Sequence, residues 1–378
     1  MIIRTEKFKD ICSKILPAVD TNETSTLSTT LELITDAKLL YVNVTNREYY
    51  VQVKLELDDE IDFHATVNAN LFLKLISQIT TDTIELSVDE TNINIRGNGN
   101  YKLPLIYDNT ELLELPKIKI TNETNSFNIK SEILKSILQY NSKELTKGVI
   151  SQPVQKLYYV DESGAITFTS GACVNNFELD SPVKLLFNNR LVKLFKLFDT
   201  DNVTFTLGYD PISEDIVQTK VRFDTNTISI SAILSCDDTL LKKVPVAAIR
   251  NRANVENYPY SVTVNKELLL QAINRLALFS SGIGNKEVIK PYITMEFSKD
   301  NVVIYDVKKE NKETLLFDSS ATNFEYDDAY EVIIDLVELR TTIETCTEQY
   351  LNINFGDDNA ILISRQNIHN VIPRCSLH

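Results

Sequence analysis

The feature that most constrains this chain is that it repeats itself. The segment KFKDICSKIL carries Phe8, Ile11, Cys12, Ile15 and Leu16, the i, i+3, i+4, i+7, i+8 spacing of one helix face. SEILKSILQY repeats the form with Ile133, Leu134, Ile137 and Leu138, and NKELLLQAINRLALF repeats it with Leu269, Ala272, Ile273 and Leu276. A second kind of helix follows each of these. ANLFLKLISQI uses Leu71, Phe72, Leu75, Ile76 and Ile79; NNRLVKLFKLF uses Leu191, Leu194, Phe195 and Phe198; DLVELRTTIETC uses Leu336, Leu339 and Ile343. Asn70, Asn188 and Asp335 stand where N-caps belong, their short polar side chains suited to the open amides of a first turn.

The stretches between and after the helices alternate in the period of two that marks antiparallel strands. TIELSV, DETN and INIRG read as strand, turn and strand; so do NVTFTL with VQTKVRF and TISISAIL, and YLNINF, GDDN and AILIS. LLYVNV with YYVQVKLEL, LYYV with AITFT, and YITMEF with VVIYDV fill the gaps between paired helices. One unit therefore reads helix, strands, helix, strands, and the chain holds three. The polar stretches TNETNS and NRANVENY separate them into domains 1–122, 123–257 and 258–378. The predicted class is α+β, each domain laying two amphipathic helices on antiparallel sheet.

Charge divides along the same lines. The chain carries a formal net charge of -15, yet the six helical windows together carry +7, leaving -22 for strands and loops. NNRLVKLFKLF holds Arg190, Lys193 and Lys196 and no acid. Like charges three residues apart on a helix repel by a few tenths of a kcal/mol. Repeating that cost in several helices points to an anionic partner on the helical side, and the phosphates of duplex DNA form a dense line of negative charge.

Other chemistry finds little support. Three His (His64, His369, His378) lie at no metal-ligand spacing from Cys or a carboxylate, so neither a metal nor a cofactor is expected. GNGNYK lacks the third Gly of a phosphate cradle and reads as a hairpin turn; SGIGNK, Ser281 to Lys286, lacks the P-loop spacing. The acidic runs Asp58-Asp59-Glu60 and Asp327-Asp328 fall in loop-like sequence. Five scattered Cys without a CxxC fit reduced thiols in a cytoplasm. No apolar run reaches the length of a membrane span, and MIIRTEKFKD is not a secretory signal. Two rival classes remain: a repeat-built interaction scaffold that binds an acidic protein, and an enzyme with a dispersed carboxylate site.

Three repeats of about 120 residues with basic helices and acidic sheets resemble the bacterial DNA polymerase III beta subunit, the processivity sliding clamp, over the whole chain. FHATVNANLFLKLISQI resembles that family's strand running into the second helix of domain one. TFTSGACV (Thr167 to Val174), LKKVP ending at Pro245, and NVIPRC near the C-terminus resemble its domain-two segment, its entry to domain three and its terminal hydrophobic-Pro segment. The resemblance implies a non-catalytic, head-to-tail homodimeric ring, sheets outside and twelve helices facing duplex DNA in a sequence-independent way. DNA-facing cations would be Lys7, Lys14, Lys74, Lys135, Arg190, Lys193, Lys196 and Arg275. A groove for short hydrophobic peptides of the polymerase and clamp loader would use Val154, Thr169, Gly171, Ala172, Val174, Pro245, Ile372 and Pro373. The subunit contact would use Tyr101 and Leu103 of the edge segment YKLPLIY, with Leu278 and Phe279. Two departures stand out. Ala172-Cys173 replace the family's His-Arg pair, which points to a different partner motif. TSTLS, Thr24 to Ser28, replaces a DNA-touching loop that is often Arg- and Pro-containing, which points to loss of that contact.

Overall fold

The computed structural model describes residues 1–20, 25–146, 150–213, 217–280, 291–317, 329–357 and 359–376. Thr24, the Ser281–Lys286 segment, the Asp327-Asp328 pair and the last two residues lie outside them. The chain forms two compact units, one of residues 1–135 and 190–236, the other of residues 136–189 and 237–378. The outer thirds of the chain are thus each whole, and the middle third is shared between the units.

The first unit holds two antiparallel sheets. One runs, in spatial order, Ile2–Arg4, Thr83–Val88, Asn92–Arg96 and Asn100–Pro104. The other has eight strands: Glu123–Lys130, Asn202–Pro211, Val217–Asp224, Ile228–Leu234, Tyr49–Glu56, Leu39–Thr45, Thr30–Asp36 and His64–Asn68. Its seam lies where Ile228–Ala232 pairs with Val53–Tyr49. Alternation decides which face is buried: Leu31 and Leu33, Leu40, Val42 and Val44, Val51 and Val53 all point into the core. Helix Thr5–Ile15 closes that face with Phe8, Ile11, Cys12 and Ile15, and Phe8 meets Phe72 of helix Ala69–Gln78 edge-on at 6.1 Å. Phe195, Phe198, Phe205 and Phe223 form a second aromatic cluster, with Phe223 5.2 Å from both Phe195 and Phe205. Such tilted ring pairs stabilise beyond their buried area.

The second unit repeats the plan. Its eight strands run Lys184–Asn188, Leu157–Asp161, Gly164–Phe168, Ala172–Asn176, Ile368–Pro373, Ala360–Arg365, Tyr350–Phe355 and Tyr260–Asn265. Its four run Lys312–Leu316, Asn301–Asp306, Tyr292–Phe297 and Tyr330–Asp335. Helices Lys266–Ser280 and Leu336–Glu344 bury Leu269, Ala272, Ile273 and Leu276, and Leu336, Leu339 and Ile343, against strands on which Phe297 stacks over Phe355 at 4.1 Å.

The helix ends differ in detail from the sequence reading. Asn68, not Asn70, caps Ala69–Gln78 by accepting from the Leu71 amide, because strand His64–Asn68 runs straight into the helix and puts Asn70 inside its first turn. Asp335 does cap its helix, accepting from Val337 and Glu338. Leu16 is exposed rather than buried, since the α-helix ends at Ile15 and Pro17 shapes a 3-10 turn over Leu16–Ala18. SEILKSILQY is α-helical only over Ser131–Ser136 and widens into a π turn at Ile137–Asn141. GNGN is a hairpin turn, closed by the Gly97 amide on the Gly99 carbonyl at 2.9 Å.

Candidate nucleic-acid interface and peptide groove

Seven of the eight proposed DNA-facing cations fall into two groups. Lys7 and Lys74 are exposed on the helices Thr5–Ile15 and Ala69–Gln78. Lys193 and Lys196 are exposed between the buried Leu191, Val192, Leu194, Phe195, Leu197 and Phe198. None of these four makes an ion pair among the described residues. Arg190, Lys14 and Arg275 are different. Arg190 reaches Asp20 at 3.7 Å and Glu48 at 3.4 Å. Lys14 bonds Asp10 and Asp199, each at 2.9 Å. Its hydrogen bond holds the Asp199 carboxyl below the usual range, and the half-buried Lys135 adds to that pull. Arg275 grips Glu313 with two bonds of 2.7 and 2.9 Å, and this lowers the Glu313 carboxyl. Three of the eight cations are therefore partly neutralised by acids far away in sequence.

The basic stripe on NNRLVKLFKLF is also narrower than a uniform α-helix would make it. The α-helix covers Asn189–Leu194 and a 3-10 turn covers Phe195–Leu197. Residues three apart nearly eclipse in a 3-10 turn, so Lys196 comes closer to alignment with Lys193 than the 60° offset of an α-helix. Lys193 and Lys196 make the stripe, with Arg190 tied at its foot.

The groove residues come together in the second unit through one register. Ala172 pairs with Val371 and Val174 with His369, which lays Thr169–Val174 against the C-terminal strand. Val154, Thr169, Ala172, Val174 and Ile372 are buried, Gly171 and Pro373 are half-exposed and Pro245 is exposed. The buried five form a floor rather than an open wall. A Cβ on Gly171 would stand 2.5 Å from the Val371 carbonyl oxygen, so this close approach needs glycine. Thr169 is fixed by its hydroxyl on Glu144 (2.8 Å) and by Gln155 donating to its carbonyl (3.1 Å).

Beside Val174 opens a cavity of about 450 Å³ lined by Arg250, Val255, Glu256 and His369, residues that sequence reasoning missed. Arg250 is aimed by its 2.6 Å bond to Asp161, while burial and the nearby Arg365 charge lower the His369 pKa. NRANVENY was legible only as a boundary; its place beside Val174 depends on the helix Val246–Arg252 folding back, which no local pattern announces.

At the proposed subunit contact, Asn100–Pro104 is an outer strand of its sheet. Tyr101 is half-exposed, but Leu103 is only 7% exposed, so its side chain serves the core and leaves the strand's backbone edge to a partner. Leu278 and Phe279 are 66% and 55% exposed. Their helix packs on Lys312–Leu316, the outer strand of the other four-stranded sheet, where Leu316 is 75% exposed. Among the described residues no group of three or more His, Cys, Asp or Glu is placed to hold a metal, and no helix is long and apolar enough to cross a membrane. His64 does meet a carboxylate, that of the buried Glu32 at 3.3 Å.

No protein-family model matches the chain. A curated beta sliding clamp from Mycoplasmopsis pulmonis is 25% identical over 224 residues, 52% of this chain. That match spans 56%, about half, of the relative's length. Among solved structures, the DNA polymerase III beta subunit of Borrelia burgdorferi superposes with a TM-score of 0.77 at 14% identity. The sliding clamp of Bacillus subtilis does so at 0.76 and 15%, and that of Pseudomonas aeruginosa, bound to griselimycin, at 0.79 and 14%. Each covers 100% of this chain and 99% of the other. At these identities the likeness is one of fold, and it runs from end to end.

Proposed function

We propose that this chain, which has the sliding-clamp fold throughout its length, is a DNA sliding clamp: a non-catalytic cytoplasmic ring that encircles duplex DNA and tethers a replicative polymerase. The observation that carries this reading is the full-length likeness to solved beta subunits, at TM-scores of 0.76 to 0.79. In it, domains 1–122, 123–257 and 258–378 each contribute two helices to the hole. Two copies close head to tail, the Asn100–Pro104 edge of one adding to the Lys312–Leu316 edge of the other. Closure of this kind leaves no free sheet edge at the contact. Lysines touching phosphate fix no sequence, so the ring can slide. Topology, not affinity, retains it.

The test is retention. Loaded on circular duplex, the protein stays bound through gel filtration and is released when the circle is cut; an interaction scaffold or an enzyme would show no difference between circle and line. Equal retention on both would remove the ring.

The groove of Gly171, Val174, Pro245 and Pro373, with the cavity beside it, takes a short peptide with apolar anchors from the polymerase or the loader. Ala172 is too buried for a charge to be introduced harmlessly. Val255, more than a third exposed at the cavity rim, is the better probe. Val255→Glu lowers affinity for such a peptide about tenfold, the order of one lost apolar contact plus an unpaired charge, and leaves the melting temperature unchanged. Calorimetry with the peptide checks this, and an unaltered dissociation constant moves the peptide elsewhere.

A further inference from the structure

A second basic surface lies on the first unit, on loops and strands rather than on a helix. The segment Pro116–Ile120 alternates: Lys117 and Lys119 are exposed, while Ile118 and Ile120 are half-buried. It is pinned in place from below. Lys220 donates to the Lys119 carbonyl at 2.9 Å and to Asp210 at 2.8 Å, and Asp210 accepts from the Thr121 and Asn122 amides. Across a hollow of about 290 Å³ stands Arg47, held in a left-handed turn at φ 73°. That turn is fixed by the Asn46 side chain, which accepts from the Glu48 and Tyr49 amides. Arg47, Lys117 and Lys119 form no ion pair among the described residues. The residues lining the hollow include no carboxylate, and Asp210, which holds Lys220, is spent on that lysine and two amides. In a chain with 53 acidic residues, three such cations around one hollow go against the local trend.

We propose that Arg47, Lys117 and Lys119 form a phosphate-binding surface for a single strand of nucleic acid. Nucleic acid is favoured over an acidic protein by continuity. Arg47 is followed by Glu48, which holds Arg190 at the foot of the Lys193–Lys196 stripe, so the cations run on from the helix proposed to face DNA. A single strand is favoured by scale. Lys117 and Lys119, two residues apart on extended chain, stand about 7 Å from one another, a spacing suited to successive phosphates of an extended strand. The hollow is far too small to seat a duplex. Its lining has no aromatic ring, so bases are not stacked and binding is indifferent to sequence. The inference rests on the clamp reading for its preference for nucleic acid and for the direction from which the strand arrives.

The test is the double variant Lys117→Glu/Lys119→Glu, both sites exposed, with fluorescent oligo-dT as probe across a salt series. Loss of two contacts at about 0.7 each on a single strand lowers the salt slope by about 1.4 and weakens binding about tenfold or more at low salt. Melting temperature and retention on circular duplex stay as in the unaltered chain. Unchanged oligo-dT binding overturns the proposal, and so does an equal loss of duplex retention, which would make the lysines part of the duplex site. Polyglutamate is the second probe: if the variant loses polyglutamate binding and keeps oligo-dT binding, the surface belongs to an acidic protein and the proposal fails. If the unaltered chain does not discriminate circular from linear duplex, the clamp reading fails alone, and the oligo-dT arm still decides the surface.

Discussion

Leu278→Ala/Phe279→Ala is expected to be a folded monomer. Both side chains are more than half exposed at the end of Lys266–Ser280, beside an outer strand that carries the still more exposed Leu316. Large apolar side chains grouped at an unpaired sheet edge mark a contact waiting for a partner. Truncating a Leu and a Phe removes about 3–5 kcal/mol of apolar burial from each interface. A two-subunit ring has two identical interfaces, so the loss is felt twice, and association falls from stable to negligible at micromolar protein. Because neither side chain belongs to the core of Leu269, Ala272, Ile273 and Leu276, the thermal transition of the subunit itself should persist. Native mass spectrometry reads the outcome directly. A double variant that remains dimeric at low micromolar concentration would place the interface elsewhere.

Lys193→Glu/Lys196→Glu should abolish productive loading on DNA. These two lysines are exposed, one on the helix Asn189–Leu194 and one on the turn that follows it, with the other side sealed by Phe195 and Phe198. Duplex contacts contribute a salt slope near 0.9 each, so losing both lowers it by about 1.8, and the introduced carboxylates add repulsion. Arg190→Ala should do less, since Arg190 already shares its charge with Asp20 and Glu48. Dimerisation and peptide binding should be untouched. Full, salt-sensitive binding in the lysine variant would mean that this helix does not face DNA.

What could be read in advance was what is local. Phe8, Ile11, Cys12 and Ile15, or Leu336, Leu339 and Ile343, announce a buried helix face by spacing alone, and all are buried. Alternation gave the strands for the same reason: burial on one face of a sheet has a period of two. What was not legible is set by a distant residue. Nothing near Arg190 says that Glu48 will reach it, nor does anything near Arg275 disclose Glu313. Lys193 and Lys196 look no different in sequence from Lys14, which is held by Asp199. Leu103 reads like any apolar residue on an edge strand, and only the packed structure puts its side chain inside. The cap at Asn68 was missed for a local reason: a strand that ends on a capping residue leaves no loop to mark the start of the helix.

The seam between Tyr49–Val53 and Ile228–Ala232 puts the period of the sequence and the unit of cooperativity out of phase. A beads-on-a-string protein can lose or gain a bead at a repeat boundary. Here a fragment ending at residue 122 would bare Tyr49–Val53 of an otherwise interior strand, and such an edge recruits other chains. Denaturant should likewise melt residues 1–135 together with 190–236, the stretch paired to them across that seam, as one step.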